Sequence, residues 1–314
     1  MDIAFRKILM YNAGKGVSNM NDNLYLSNLP NDLYISKINL VGSHDSATAF
    51  VDFKTWAKCQ DLTIKEQLDI GVRLLDIRLC CENGKFPLIH SVANCYADSK
   101  NKKRLYFEDV FNDCLKFLNS NPLETIVMSV KMDRGFRKNH FASAFYNSFI
   151  SGKEQFWYLD DKIPTLKEVR GKVVLMRRFV NPYDVKNKKY VQKCGLDFSV
   201  WENQKTKKPV PPFKTYIGGN CFATVQDCYN LTDKLKWNNA IKPFLDKCKT
   251  TKSNICFHCL NTSGGNGVPL KNANYINEEF FKYKLNEKQG WFLIDFSTKT
   301  LVNKIVKSNN LILE

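Results

Sequence analysis

Short apolar runs recur along this chain, and most of them stop on a charged or polar side chain. A run beginning at Ile38 breaks at Gly42 and is followed at once by His44 and Asp45. Residues 72–79 carry Asp76 and Arg78, residues 87–90 end in His90, and residues 125–130 lead to Lys131. Residues 173–176 run into Arg177 and Arg178, and 221–225 into Gln226 and Asp227. Residues 254–260 run into the glycine-rich loop 263–267, and 291–294 into Asp295. Their apolar, β-branched content predicts strands. Helical patterns separate most of them. Thr63-Ile64-Lys65-Glu66 is a capping box for a helix that Gly71 closes, and 105–120 is amphipathic at Phe107, Val110, Phe111, Leu115 and Leu118. Further helices are expected over 141–150, 166–170, 231–248 (kinked or split at Pro243) and 299–307. Eight strands alternating with helices predict an α/β fold: one (β/α)8 TIM-type barrel over residues 1–314, irregular and imperfectly closed. Residues 1–33 would form an extension closing its bottom, and the lysine- and proline-rich residues 181–214 a long basic excursion rather than an element.

In such a barrel the C-terminal strand tips form one rim, where catalytic groups gather. The polar residues fall there. Asp76 and Arg78 share a face by the strand period of two. Two imidazoles, two carboxylates and a guanidinium thus end three successive strand candidates, a set suited to phosphoryl chemistry. Imidazole can serve as base or acid near neutral pH. A neighbouring carboxylate fixes its tautomer, and a guanidinium can bind two phosphoryl oxygens at once.

Lysine and arginine outnumber aspartate and glutamate by 47 to 31, which favours an anionic partner without choosing among lipid surface, phosphorylated ligand and nucleic acid. Much of the excess is loop lysine (Lys186, Lys188, Lys189, Lys205, Lys207, Lys208) and reads as solvated surface. Eleven cysteines show no framework spacing, Ile8-Leu9-Met10 is too short for a signal-peptide core, and no run has transmembrane length. These features predict a soluble protein with reduced thiols, cytoplasmic or unconventionally exported, or secreted if a leader preceded this sequence. Cys256-Phe257-His258-Cys259 resembles a metal knuckle, but a strand would send its two cysteines to opposite faces. No metal and no cofactor are expected, and His140 and His258 read as structural.

At His44-Asp45-Ser46, Gln67-Leu68 with Gly71-Val72-Arg73, Asp76-Ile77-Arg78 and Asn121-Pro122-Leu123-Glu124-Thr125-Ile126, the chain resembles the X-domain of phosphatidylinositol-specific phospholipase C, especially the small single-domain bacterial enzymes. The likeness runs from about Ile35 to Phe296 and includes Arg178, Val225-Gln226-Asp227 with Tyr229, Ser263-Gly264-Gly265 and Gly290-Trp291 with Asp295. It implies His44 as general base toward the inositol 2-hydroxyl and His90 as general acid coupled to Asp45. It further implies that Asp295 orients His44, Asp76 supports the cluster and Arg78 neutralises the phosphate. Lys131, Arg178, Asp227 and Tyr229 would grip the inositol ring. Arg78 stands where calcium-dependent relatives have an acidic metal ligand, which implies a metal-independent enzyme. Ser91 departs from the family's usual glycine and would narrow the leaving-group side. Trp56, with Phe53, would insert at a phosphatidylinositol-containing membrane surface; a peripheral monomer without nucleic-acid partners is expected. Free phosphatidylinositol and GPI anchors both remain open as substrates. The competing readings are an inactive relative that binds anionic lipid and a metal-dependent phosphodiesterase of glycerophosphodiesterase type.

Overall fold

The runs become strands largely where the sequence places them. The computed structural model describes residues 22–135, 137–182, 193–261 and 267–309. In chain order the strands are β1 (Leu40–Ser43), β2 (Phe50–Val51), β3 (Leu74–Leu79), β4 (Ile89–His90), β5 (Ala93–Tyr96), β6 (Ile126–Met132) and β7 (Trp157–Tyr158). Then come β8 (Val173–Arg178), β9 (Leu196–Asp197), β10 (Phe213–Gly218), β11 (Cys221–Gln226), β12 (Asn254–Cys259) and β13 (Trp291–Ile294). One sheet takes the order β10-β11-β12-β13-β1-β3-β6-β8-β7, with β9 also paired to β8. All its ladders are parallel except the β10–β11 hairpin. The two ends approach where Thr215 Oγ1 donates to the Val200 carbonyl (2.9 Å), yet no ladder joins them among the described residues. The barrel is therefore imperfectly closed, as expected.

One expected barrel strand is not in the barrel. Residues 87–90 contribute β4, which belongs to a separate antiparallel sheet of order β2-β5-β4. The cause is local. Asn83 (φ 50°) and Gly84 (φ 76°) form a two-residue turn between paired Glu82 and Lys85, so the chain doubles back and Leu88 pairs antiparallel with Leu79. Asn-Gly suits this turn because both central residues need positive φ. A parallel return would also need a crossover of a dozen or more residues, and too few lie between. Phe86 anchors the returning segment by edge contacts to Phe141 (5.6 Å) and Phe149 (5.4 Å) of the Lys138–Phe149 helix. His90 consequently reaches the rim from above, on a hairpin.

The capping box forms at Thr63–Glu66, and Gly71 ends that helix at φ 111°. The expected helix over 231–248 runs without a break in its helical dihedrals from α-helical Asp233–Lys236 through a π-helical turn, Trp237–Ile241, to α-helical Lys242–Lys247. Pro243, which supplies no N–H, follows Lys242 just after the π-helical turn. At the barrel's bottom, fully buried Arg73 binds Glu124 (2.6 Å), whose other oxygen accepts from the Ser27 N–H and hydroxyl of the Asp22–Asn28 3-10 segment. Of the expected N-terminal extension, residues 1–21 lie outside the described residues. So do 183–192 of the excursion, including Lys186, Lys188 and Lys189, and 262–266, which hold most of the glycine-rich loop.

Gly290 leads into β13, the strand that delivers Asp295. It has φ 114°, and a Cβ there would lie 2.0 Å from the Cys256 carbonyl oxygen. Gly290→Ala is expected to destabilise the fold by about 2–4 kcal/mol, read as a lowered urea midpoint with unchanged slope.

Candidate active site

β1, β3 and β13 are neighbours in register, Gly42 beside Leu74 and Ser43 beside Ile294, so their C-terminal tips converge. His44 follows β1 and is buried. Its Nδ1–H donates to Asp295 Oδ1 at 2.7 Å, and Arg78 Nη2 donates to its Nε2 at 2.8 Å. Those contacts select the neutral tautomer with a basic Nε2. Asp45 Oδ2 lies 3.2 Å from the same nitrogen, placed to stabilise a proton once it arrives. Burial alone would lower the His44 pKa, but Asp295 and Asp45 outweigh it despite the opposing Arg78, leaving it above 6.5. Gln60, unremarked as a site residue in the sequence, fastens the two tips by donating to the His44 (2.9 Å) and Ile294 (2.7 Å) carbonyls.

His90 is half-buried, and its Nδ1–H donates to the Ala57 carbonyl at 2.8 Å. Its Nε2 lies 3.4 Å from Asp45 Oδ2. Asp45 thus stands between the two imidazoles, with Arg78 Nε 2.9 Å from its Oδ1. Asp45 has φ 43°, and neither carboxylate oxygen accepts a well-directed hydrogen bond. Charge, more than hydrogen-bond geometry, holds it.

Cross-strand register sets the cations. Arg78 on β3 lies beside Lys131 on β6, which lies beside Arg178 on β8. Strands in register turn these residues into one positive rung across three strands. Asp76 sits beneath it, accepting from the Asp45 N–H (3.2 Å), Arg78 Nε (3.1 Å) and Ser129 Oγ (3.3 Å), with Arg178 Nη1 3.6 Å away. Burial would raise the Asp76 pKa, yet Arg78 and Arg178 hold it well below the usual carboxylate range. Burial opposes the Arg78 charge, but Asp45, Asp76 and Asp133 outweigh it and raise its pKa further. For Lys131 burial dominates, joined by Arg78, and its pKa falls below the ordinary value despite Asp133. Arg177 points the other way on β8 and bonds Asp197 (2.7 Å) and the Cys194 carbonyl (3.1 Å), a structural role.

The site opens into a cleft of about 690 Å³ lined by His44, Arg78, His90, Lys131, Arg178, Asp227, Tyr229 and Asp295 among others. Asp45 and Asp76 lie beneath these lining groups. Residues 193–214 of the basic excursion contribute more than loop: β9, and a wall containing Trp201. The Trp201 ring lies 3.8 Å beneath the Arg178 guanidinium, and its indole N–H donates to Asp227 Oδ2 at 2.9 Å. The Tyr229 hydroxyl bonds Asn203 from the same wall. Trp201 and Asn203 carried no periodic signal in sequence. Asp133 follows Lys131 by the same two-residue spacing that links Asp76 to Arg78. It binds Lys131 Nζ at 2.6 Å and accepts the Ser91 N–H at 2.7 Å. Trp56 lies outside the cleft, on the Lys54–Ala57 helix, with its ring against Gly267.

His140 is exposed. His258 is buried between Phe244 and Phe292, bonded to the Gln289 carbonyl (2.8 Å), and burial pushes its pKa down to about 4. All eleven cysteines are free. Among the described residues the only group of three metal-ligand side chains is His44, Asp45 and Cys59, where the Arg78 guanidinium already touches His44.

The family model for PI-PLC X matches residues 32–190, just over half of the 314 residues. The chain belongs to the PI-PLC X family. It is 29% identical over 325 aligned positions to a Staphylococcus aureus (strain Newman) protein named 1-phosphatidylinositol phosphodiesterase, covering 91% of this chain and 93% of that one. It is 24% identical to a protein of the same name from Listeria monocytogenes serovar 1/2a (strain ATCC BAA-679 / EGD-e), covering 91% and 84%. A solved structure of the S. aureus phosphatidylinositol-specific phospholipase C superposes with a TM-score of 0.73 at 26% identity, covering 91% of this chain and 97% of that one.

The Asp295 contact has a measurable consequence. Removing its charge removes a cause that raises the His44 pKa, so Asp295→Asn is expected to move the His44 titration, followed by NMR, to lower pH. A transition that stays in place or moves upward would show that Asp295 does not set the imidazole's basicity.

Proposed function

We propose that this protein is a phosphatidylinositol-specific phospholipase C that cleaves by attack of the inositol 2-hydroxyl on phosphorus. The products are diacylglycerol and inositol 1,2-cyclic phosphate. The observation that carries this reading is the pair of imidazoles anchored through Nδ1, one to Asp295 and one to a backbone carbonyl, with both Nε2 atoms meeting at Asp45 beside Arg78. The names and fold of the relatives support it.

In this mechanism His44 Nε2 takes the 2-hydroxyl proton as that oxygen bonds to phosphorus. The phosphorus–glyceryl oxygen bond breaks, and the leaving oxygen takes the proton from His90 Nε2–H. Asp295 keeps His44 Nδ1 as the donor, and Asp45 stabilises the imidazolium forms. Asp76 holds Arg78, which meets the charge developing on the phosphoryl oxygens. Lys131, Arg178, Asp227 and Tyr229 present paired polar groups to the inositol hydroxyls, and Trp201 fixes two of them. A site so paired rejects head groups that leave it unsatisfied. Choline lipids are therefore poor substrates. A divalent cation at this point would face the guanidinium, a repulsion strengthened by burial.

Membrane engagement is part of the proposal. Phe53, Trp56, Val92 and Leu270 are large, exposed and apolar. Asp52 donates its N–H to the Asn94 carbonyl, which brings the Phe53 turn to the hairpin bearing Val92 (3.1 Å). Trp56 abuts Gly267, three residues before Leu270. Such a patch suits peripheral insertion by a monomer, and no helix among the described residues is long and apolar enough to cross a membrane.

His44→Ala and His90→Ala are each expected to lower release of water-soluble inositol phosphate from phosphatidylinositol vesicles by about 10²–10⁴-fold with the fold retained. Arg78→Lys should cost about 100-fold, since a point charge loses the two-pronged contact. Near-normal turnover in either histidine variant would refute its assignment. Trp56→Ala is expected to weaken vesicle binding about tenfold, the worth of roughly 1.5 kcal/mol of apolar burial, while sparing a soluble inositol phosphodiester. Equal loss on both substrates would make Trp56 structural.

A further inference from the structure

We propose that Asp133 is a positioning residue for the general acid: its carboxylate sets the turn that carries His90 and ties that turn to the cationic rung. This rests on the phospholipase C reading above. His90 sits on a hairpin outside the barrel, so something must hold that hairpin in register with the barrel groups. Asp133 follows β6, and its own N–H donates to the Leu79 carbonyl at the end of β3 (2.8 Å), which roots it in the barrel. Its Oδ2 accepts the Ser91 N–H at 2.7 Å; its Oδ1 lies 2.6 Å from Lys131 Nζ and 3.9 Å from Arg78 Nη1.

Ser91 is the residue next to His90. His90 pairs with Ala93, so Ser91 and Val92 form a two-residue turn, and Ser91 adopts φ 55°. That conformation is unfavourable for a serine and needs an outside contact to persist. A hydrogen bond to an ionised carboxylate is about twice as strong as a neutral one. Burial would raise the Asp133 pKa, but Arg78 and Lys131 hold it well below the usual range, so the charge is present throughout the working pH range. Arg134 adds a weaker clamp, donating to the Val92 carbonyl (3.4 Å). A shift at Ser91 moves the His90 ring relative to Asp45 and to the leaving oxygen. One carboxylate therefore serves both the phosphate side and the leaving-group side.

The test compares two leaving groups. Diacylglycerol leaves as a poor alkoxide and needs a proton from His90. In a 4-nitrophenyl inositol phosphodiester the aryl oxide leaves without one. Asp133→Ala is expected to lower kcat on phosphatidylinositol by about 10–100-fold and kcat on the aryl ester by less than about threefold. KM should rise on both, because Lys131 loses its partner. Asp133→Asn keeps a carbonyl oxygen able to accept the Ser91 N–H, and is expected to recover most of the lipid kcat while keeping the raised KM. Should the alanine variant fail to fold, Asp133→Ser, too short to reach Ser91, is read the same way. Equal fractional losses of kcat on the two substrates, or no loss on the lipid, would overturn the proposal. Wild-type protein that cleaves neither substrate would instead overturn the phospholipase C reading.

Discussion

The buried carboxylate of Asp45 is the interaction on which the site depends. Within 3.4 Å it meets both imidazoles and the Arg78 guanidinium, and it has almost no access to water. A buried charge is costly unless opposite charge surrounds it, and removing one partner strands the others. The remaining site charges follow the same logic. Asp76 lies under Arg78 and Arg178, Asp133 between Arg78 and Lys131, and Asp295 against His44. Each cation on the rung is thus held in place by a neighbouring carboxylate.

The barrel makes this possible through parallel register. Matching Arg78, Lys131 and Arg178 across three strands is a property of the ladder, and no local contact could impose it. Gly42 lets β1 approach β13 where a Cβ would lie 2.7 Å from the Phe292 carbonyl oxygen, which brings the His44 and Asp295 strands side by side, and Gly290 lets the chain entering β13 approach β12. The parts outside the barrel complete the cleft. The hairpin brings His90, and the segment after β9 brings Trp201 beneath Arg178.

Much of this was legible in the sequence because the signals were local or periodic. The two-residue spacing placed Asp76 and Arg78 on one face, and apolar runs ending in charge marked the rim. Lys131, Arg178, Asp227, Tyr229 and Asp295 all line the cleft. The misplaced strand at 87–90 had a signal as well: Asn83-Gly84 demands a hairpin, and periodicity alone cannot tell a barrel strand from a returning one. Asp133 was readable by the same period of two. Trp201 was not, since it lies among lysines and prolines in a segment with no repeat, and only tertiary contact gives it meaning. The glycine-rich loop at 263–266 lies outside the described residues.

The proposed reaction uses the inositol's own hydroxyl and runs on imidazoles and a guanidinium. It is tested most directly by ³¹P NMR of phosphatidylinositol turnover in excess EDTA and EGTA, with a parallel sample containing added calcium. Attack by the 2-hydroxyl requires the five-membered inositol 1,2-cyclic phosphate as the first product, at the same rate in both samples. A first product that is the open-chain inositol phosphate, or cleavage seen only with calcium, would contradict it.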